Sequence, residues 1–132
     1  MTTLAGLLAD QERVLGPDHL RTLVTRHSLA RWRGKAGDPA GAITTLAGLL
    51  ADQERVLGPD HLDTLDTRHE LALWRGEAGD AAGAATALAE VLADRQRVLG
   101  LDHPDTLATR HELARWRSRT ERGDDAESPV LL

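Results

Sequence analysis

Hydrophobic residues recur every three or four positions in six segments of the chain, separated by short breaks rich in glycine, proline and aspartate. At about 100° per residue, this period places apolar side chains on one face of a helix. In the third segment, Leu46, Leu49 and Leu50 lie within one stripe, and Glu54 falls outside it. The pattern predicts six helices, at roughly residues 2–15, 20–36, 39–57, 62–78, 81–99 and 104–120.

Residues typical of helix ends mark several of these boundaries. Asp38 is predicted as an N-cap and Pro39 as the first helical residue, since a first-turn proline lacks an amide that would otherwise be unpaired. Gly79 is predicted to end the fourth helix, because glycine tolerates a left-handed backbone. Pro104 is expected to open the sixth helix behind Asp102 or His103. The short breaks leave room only for antiparallel neighbours.

A repeat of 42 residues runs through the chain. Residues 2–20 and 44–62 have the same sequence, and 35 of the first 42 residues recur at this spacing. A third copy keeps the spacing at His103 and Trp116 and departs after Arg117. Because one helix pair cannot bury its apolar face alone, the copies must stack. The sequence therefore predicts an all-α fold, an α-solenoid of about three stacked helix–turn–helix repeats with six helices.

The array is expected to cover residues 1–118, with a polar, partly disordered tail over 119–132. Within it, an unpaired second-type helix at 1–15 is followed by repeats near 20–57, 62–99 and 104–118. Where copies one and two differ, the changes concentrate on one narrow face of the first helix in each repeat. This face carries Val24, Ser28, Arg31 and Lys35. Its variation makes it the candidate binding face.

Arginine and aspartate also recur with the repeat, at positions that border the apolar stripes. They are Arg26, Arg68 and Arg110, and Asp10, Asp52 and Asp94. Because a buried guanidinium needs a partner, we predict inter-helix Arg–Asp pairs that hold the repeats in register. Binding of a phosphate or carboxylate ligand by the arginines is the alternative.

Each repeat carries two histidines and one tryptophan. A cap or turn hydrogen bond is expected for His19, His61 and His103, and packing or ligand contact for His27, His69 and His111. Copies stacked about 9–10 Å apart are too distant for two imidazoles to share a zinc ion. The tryptophans, one per repeat at positions 32, 74 and 116, are expected in the core, with a stripe for stacking bases as the alternative.

Composition excludes several classes of protein. The 132 residues include three tryptophans, no other aromatic residue and no cysteine, which removes disulfides and thiolate metal sites. The net charge of −5 disfavours a binder of nucleic acid, and no apolar run reaches the length of a membrane span. The N-terminus has no basic region typical of a signal peptide, so a cytoplasmic location is expected.

The chain shows no arrangement of residues typical of an enzyme. No serine lies in a G-x-S-x-G context, and the recurring glycines lack the G-K-[ST] ending of a phosphate-binding loop. The sequence therefore predicts no catalysis, no cofactor and no metal.

The segment HPDTLATRHELARW at 103–116, followed in earlier copies by RGEAGDAAGA, resembles tetratricopeptide repeats of the 42-residue, kinesin-light-chain type. The resemblance implies a right-handed superhelix whose concave face, formed by the first helix of each repeat, binds a peptide segment of a partner protein. The concave positions that it implies are Val24, His27, Ser28, Arg31, Lys35, Asp66, His69, Glu70, Leu73, Glu77, Ala108, His111, Glu112 and Arg115.

Two departures from this pattern shape the expected function. His27-Ser28 and its counterparts stand where such repeats often carry two asparagines, and acids such as Asp66 and Glu70 favour a basic or mixed peptide. A scaffold that binds a protein partner is therefore the leading interpretation. One alternative is a homo-oligomer that stacks through uncapped terminal helices. Another is a fragment of the sensor array of a nucleotide-binding regulator, because similar arrays occur in actinobacterial regulators.

Overall fold

The computed structural model describes residues 3–122, and every regular element in this range is an α-helix. The helices are α1 (Leu4–Leu15), α2 (Leu20–Lys35), α3 (Pro39–Val56), α4 (Leu62–Glu77), α5 (Ala81–Leu99) and α6 (Pro104–Glu121). The all-α fold class and the six helices are as predicted. Helix α6 includes the first three residues of the predicted tail, and Arg122 follows as its C-cap. Residues 123–132 of that tail lie outside the described residues.

The predicted N-terminal caps are present. The Asp38 side chain accepts a hydrogen bond from the Gly41 amide at 2.8 Å, and Pro39 occupies the first turn of α3. Histidine caps α6, since His103 Nδ1 accepts from the Asp105 amide at 3.0 Å. This bond satisfies a first-turn amide that would otherwise lack a partner. The equivalent histidines His19 and His61 accept from the amides two residues onward in the same way.

The end of α4 shows why glycine recurs after the first helix of each repeat. Gly79 has a φ of +106°, a left-handed conformation that costs a residue with a β-carbon. Its amide donates to the Gly76 carbonyl at 3.0 Å, and the Asp80 amide donates to the Arg75 carbonyl at 3.0 Å. These bonds reverse the chain and satisfy carbonyls of the last turn.

The described chain forms two compact units, with their boundary inside α4 between Thr67 and Arg68. In the first unit, α2 packs against both α1 and α3. Its buried apolar residues include Leu23, Leu46 and Leu49. In the second unit, α5 packs against α6. The core there is Ala72, Ala81, Ala84, Leu88, Leu113 and Trp116.

Helix α1 and residues 46–57 of the α3 segment have the same twelve-residue sequence but differ in burial. Helix α1 contains no buried residue. Helix α3 buries Leu46, Leu49 and Gln53. The difference is therefore tertiary, since local sequence is the same in both. No helix within residues 3–122 combines the length and the apolar character needed to cross a bilayer.

The three tryptophans differ in burial, which corrects the expectation that all lie in the core. Trp116 is 1% exposed and packs against Gly76, 40 residues earlier in the sequence. Trp32 is 62% exposed. Equivalent positions of the repeat therefore differ in burial.

Candidate functional site

One cavity of the first unit lies where α2, α3 and the start of α4 meet. Its volume is about 110 Å³, and its lining is Val24, His27, Ser28, Gln53, Asp63 and Asp66. We refer to it as the acidic cavity, because aspartates are the charged residues of its lining. Asp63 is half-buried and Asp66 is exposed, so negative charge is accessible from solvent.

A second cavity of about 190 Å³ follows along α2 and is lined by Ser28, Arg31, Trp32 and Lys35. We refer to it as the basic cavity. The Lys35 Nζ atom lies 5.8 Å from the centroid of the Trp32 ring, within the range of a cation–π contact. Ser28 lines both cavities, which makes them neighbours on one helix face. All five α2 residues expected at the binding face therefore line one or both cavities.

Gln53 brings an unusual polar group to the acidic cavity. It is 1% exposed, and its side-chain oxygen accepts no hydrogen bond within the described part of the chain. A buried polar atom without a partner costs about 1–3 kcal/mol. Gln53 thus brings an unpaired oxygen to the border of the acidic cavity.

In the second unit, Arg95 occupies the position equivalent to Gln53 and is 4% exposed. Its Nη1 donates to Thr109 Oγ1 at 2.8 Å and to the Asp105 carbonyl at 3.3 Å. It also lies 3.5 Å from His69 Nδ1. The guanidinium thus joins α5 to α4 and α6 by hydrogen bonds.

His69 is kept neutral by this environment. Burial first, and the positive charge of Arg95 second, lower the pKa of His69 from 6.5 to about 4. Glu112 and Asp105 act in the opposite direction but do not offset the first two effects. The neutral imidazole can accept a hydrogen bond at Nδ1, which lies 3.1 Å from Thr109 Oγ1.

The other expected contact residues of the second unit are largely engaged with one another. Arg115 lies 3.2 Å from Glu112 and 3.6 Å from Glu77. Leu73 packs against the core of this unit, and Glu70 is half-buried. Ala108 and His111 are exposed. The structure therefore gathers the α2 set and Asp66 around cavities, whereas Arg115, Glu112 and Glu77 pair internally.

Residues 22–63 and 64–105 each match the family described as tetratricopeptide repeat. These matches cover most of the chain. The chain belongs to the tetratricopeptide repeat (TPR) family. TPR domains are generally protein-interaction modules and typically act without catalysis.

The fold is similar to solved TPR structures. The nearly identical TPR-like repeats assigned to a kinesin light chain of Podosopora anserina match with a TM-score of 0.80 and 31% identity. A single-substitution variant of the same protein matches with a TM-score of 0.79 and 31% identity. In both cases the match covers 93% of this chain and 58% of the solved one, so this chain spans little more than half of that length. No curated protein matches the sequence.

Arg–Asp pairs join the two helices of one TPR in each unit. Arg26 Nη1 lies 2.7 Å from Asp52 Oδ2, and Arg68 Nη1 lies 2.6 Å from Asp94 Oδ2. The arginines are about one-fifth exposed, so solvent screens these pairs only in part. Each arginine holds the pKa of its aspartate below the usual value.

The other two residues predicted to form such pairs, Arg110 and Asp10, do not form one within the described part of the chain. Within residues 3–122, Arg110 is exposed and has no ion pair, and Asp10 lies 3.6 Å from Arg13 on its own helix. The observed pairs are 26 residues apart. The corresponding partners of Arg110 and Asp10 would lie beyond the last and before the first residue of the chain.

Three residues of this TPR surface were not among those predicted from the sequence. Gln53 and Asp63 line the acidic cavity, and Trp32 lines the basic cavity. The change from Gln53 to Arg95 between copies was the available signal for the first cavity, since it places a charge in a largely apolar stripe. Among the described residues, no group of three or more histidines and acids is placed to hold a metal ion.

Proposed function

We propose that this TPR module is a non-catalytic scaffold that binds a peptide segment of a partner protein along α2 of the first unit. One observation carries the proposal: the α2 residues that vary between repeats line two cavities that share Ser28. Two neighbouring cavities of this kind suit an extended segment, whose alternate side chains can enter neighbouring pockets.

The charges of the two cavities narrow the chemistry of the peptide. Asp63 and Asp66 favour a positively charged group at the acidic cavity, and Arg31 and Lys35 favour an acidic group at the basic cavity. The exposed ring of Trp32 adds apolar surface beside those cations. We therefore propose a peptide of mixed charge, with a basic residue followed or preceded by an acidic or aromatic one.

A peptide array tests this function. The full chain is applied to an array of random-sequence peptides, in parallel with Asp66→Lys and Lys35→Glu variants. We expect each variant to lose most of the bound peptides, because each reverses a charge beside one cavity. Glu54→Lys is the matched control, since Glu54 is exposed on α3 and lines neither cavity. Equal binding by wild type, Asp66→Lys and Lys35→Glu would contradict the proposal.

End-to-end assembly is a second candidate function, favoured by apolar surface at the first helices. Helix α1 buries no residue, and Val14 and Trp32 are each more than 60% exposed. Surface of this kind commonly marks an association site. Sedimentation over rising concentrations should show self-association that Trp32→Ala weakens, whereas a monomer at every concentration excludes this candidate.

Two finer interpretations from the sequence stay predictions. One is the membership of this module in the sensor array of a nucleotide-binding regulator. The other is a cytoplasmic location. Neither changes the binding experiment, which depends only on the residues of α2 and α4.

A further inference from the structure

Two equivalent positions of the repeat hold different side chains in similar surroundings. Gln53 and Arg95 are 42 residues apart and are both buried. The groups that receive the Arg95 guanidinium are His69, Thr109 and the Asp105 carbonyl. Their equivalents around Gln53 are His27, Thr67 and Asp63. The first unit therefore has the residues of a guanidinium site, and a shorter side chain in the place of the arginine.

Polar atoms of the first unit support this comparison. Thr67 is fully buried, and its hydroxyl has no hydrogen-bond partner within the described residues, whereas the hydroxyl of Thr109 accepts from Arg95. Gln53 likewise has an unpaired side-chain oxygen. Both oxygens can accept a hydrogen bond, and Gln53 is the one of the two residues that lines the acidic cavity.

The first unit also differs from the second in the space and the charge beside this position. The acidic cavity of about 110 Å³ lies against Gln53, which is shorter than arginine. Its volume is several times the minimum that a water molecule needs. Asp66 adds a carboxylate to the lining, whereas the equivalent residue of the next repeat is Ala108. The first unit thus gains a negative charge where it lacks the resident cation.

We propose that the acidic cavity binds the guanidinium of an arginine side chain from the partner peptide. The proposal rests on the proposed function and names the residue class that the cavity recognises. A planar guanidinium presents several donors in a fixed geometry, and Arg95 Nη1 alone lies within 3.5 Å of His69 Nδ1, Thr109 Oγ1 and the Asp105 carbonyl. The negative charges of Asp63 and Asp66 disfavour an anion in the cavity, and a neutral group gains no electrostatic attraction from them.

Small amides of known charge test the cavity directly. The isotope-labelled full chain is titrated with N-acetyl-arginine amide and, separately, with N-acetyl-citrulline amide, a neutral analogue of similar shape. Because hydrogen bonds from a charged donor are stronger than those from a neutral one, we expect the arginine amide to bind about tenfold more tightly or better than the citrulline amide. Shifts of NMR signals should centre on Gln53, Thr67 and Asp66. Equal binding of the two amides would overturn the proposal.

A second experiment uses variants in which a residue of the cavity is replaced by the equivalent residue of the third copy. Gln53→Arg supplies an internal guanidinium and should weaken binding of the arginine amide at least about tenfold. Gln11→Arg is the matched control, because Gln11 is the equivalent residue of the first copy and does not line the cavity. If Gln53→Arg does not fold, Asp66→Ala should still weaken binding severalfold. Unchanged binding in every folded cavity variant would overturn the proposal.

The outcomes separate this inference from the proposed function. Array peptides that require Asp66 and Lys35 but show no preference for arginine support the scaffold and overturn the arginine site. Arginine amide bound at the cavity, with no array peptide retained, supports the site and overturns the scaffold.

Discussion

The indole of Trp116 lies so close to Gly76 that a β-carbon on this glycine would stand 2.5 Å from the ring atom Cη2. Contacts of this length do not occur between real β-carbons and their neighbours, so only glycine fits. The large aromatic side chain and the absent side chain together let α6 approach α4 closely within the second unit. Repeat packing here therefore depends on a pair of residues 40 positions apart.

A methyl group at this contact should destabilise the chain. We expect Gly76→Ala to lower the free energy of unfolding by about 1–3 kcal/mol, because the buried ring of Trp116 must shift. Urea denaturation followed by far-UV circular dichroism measures the change.

Gly48→Ala is the control for that substitution. Gly48 lies inside α3, and a β-carbon there would approach no atom more closely than Arg26 Nη2 at 4.0 Å. Alanine is favoured over glycine inside a helix by about 0.5–1 kcal/mol, so this variant should be more stable than wild type. Equal effects of the two substitutions would contradict the role assigned to the Trp116 contact.

The tryptophans should differ in their contribution to stability. Trp116→Ala removes a side chain that is 1% exposed, and we expect a loss of about 3–5 kcal/mol. Trp32→Ala removes one that is 62% exposed and should change stability by about 0.5 kcal/mol or less. Thermal unfolding of the two variants makes the comparison. Similar losses would show that Trp32 is covered in solution.

His69 should make the chain sensitive to mild acid. Its pKa of about 4 in the folded state lies below the ordinary value of 6.5 that the unfolded chain has. The unfolded state therefore takes up a proton first, and stability falls as the pH is lowered from 6.5 towards 4 and levels off below it. The full effect is about 3 kcal/mol at 1.36 kcal/mol per pH unit.

His69→Gln removes this titration and should flatten the pH dependence of stability in that window. His111→Gln is the control, because His111 is exposed and should behave as wild type. Denaturation at several pH values between 4 and 7 gives the slopes. A wild-type slope in His69→Gln would assign the acid sensitivity to other groups.

The Arg68–Asp94 pair should contribute more than an exposed pair. A double-mutant cycle with Arg68→Met and Asp94→Asn should give a coupling energy of about 1 kcal/mol. The arginine lowers the pKa of Asp94, so this contribution is present above pH 3.8 and is lost as the pH falls below it. The Arg13–Asp10 pair, more than 60% exposed on both sides, should couple by about 0–0.5 kcal/mol. Equal coupling energies for the two pairs would contradict a structural role for the Arg68–Asp94 pair.

The fold was predictable because the signals that define it are local and periodic. Asp38, Pro39 and Gly79 mark helix ends by their backbone chemistry, and the 42-residue spacing requires stacking. The burial of individual side chains was less predictable, because it depends on the helices packed around each copy and not on the repeated sequence itself. Trp32 and Trp116 occupy equivalent positions, yet Trp32 is 62% exposed, whereas Trp116, which covers Gly76, is 1% exposed.

The candidate site was predictable only in part for a related reason. The variable face of α2 identified Val24, Ser28, Arg31 and Lys35, which line the cavities. Gln53 is unchanged between the first two copies, so the comparison of those copies did not reveal it. Its importance follows from the space beside it, which is a property of three helices together.

Helix α2 packs between α1 and α3, and the twelve residues of α1 recur without change at 46–57. While the chain folds, the side chains of these twelve residues cannot by themselves distinguish the two partners of α2. The choice falls to the connections, which run from Gly16 to His19 on one side and from Ala36 to Asp38 on the other. We therefore expect that, in a concentrated solution, this segment of one molecule can pack on the α2 of another, because domain swapping is a characteristic failure of repeat proteins. The position of the shared segment is thus specified by its place in the chain and by the residues that precede it, not by its own twelve residues.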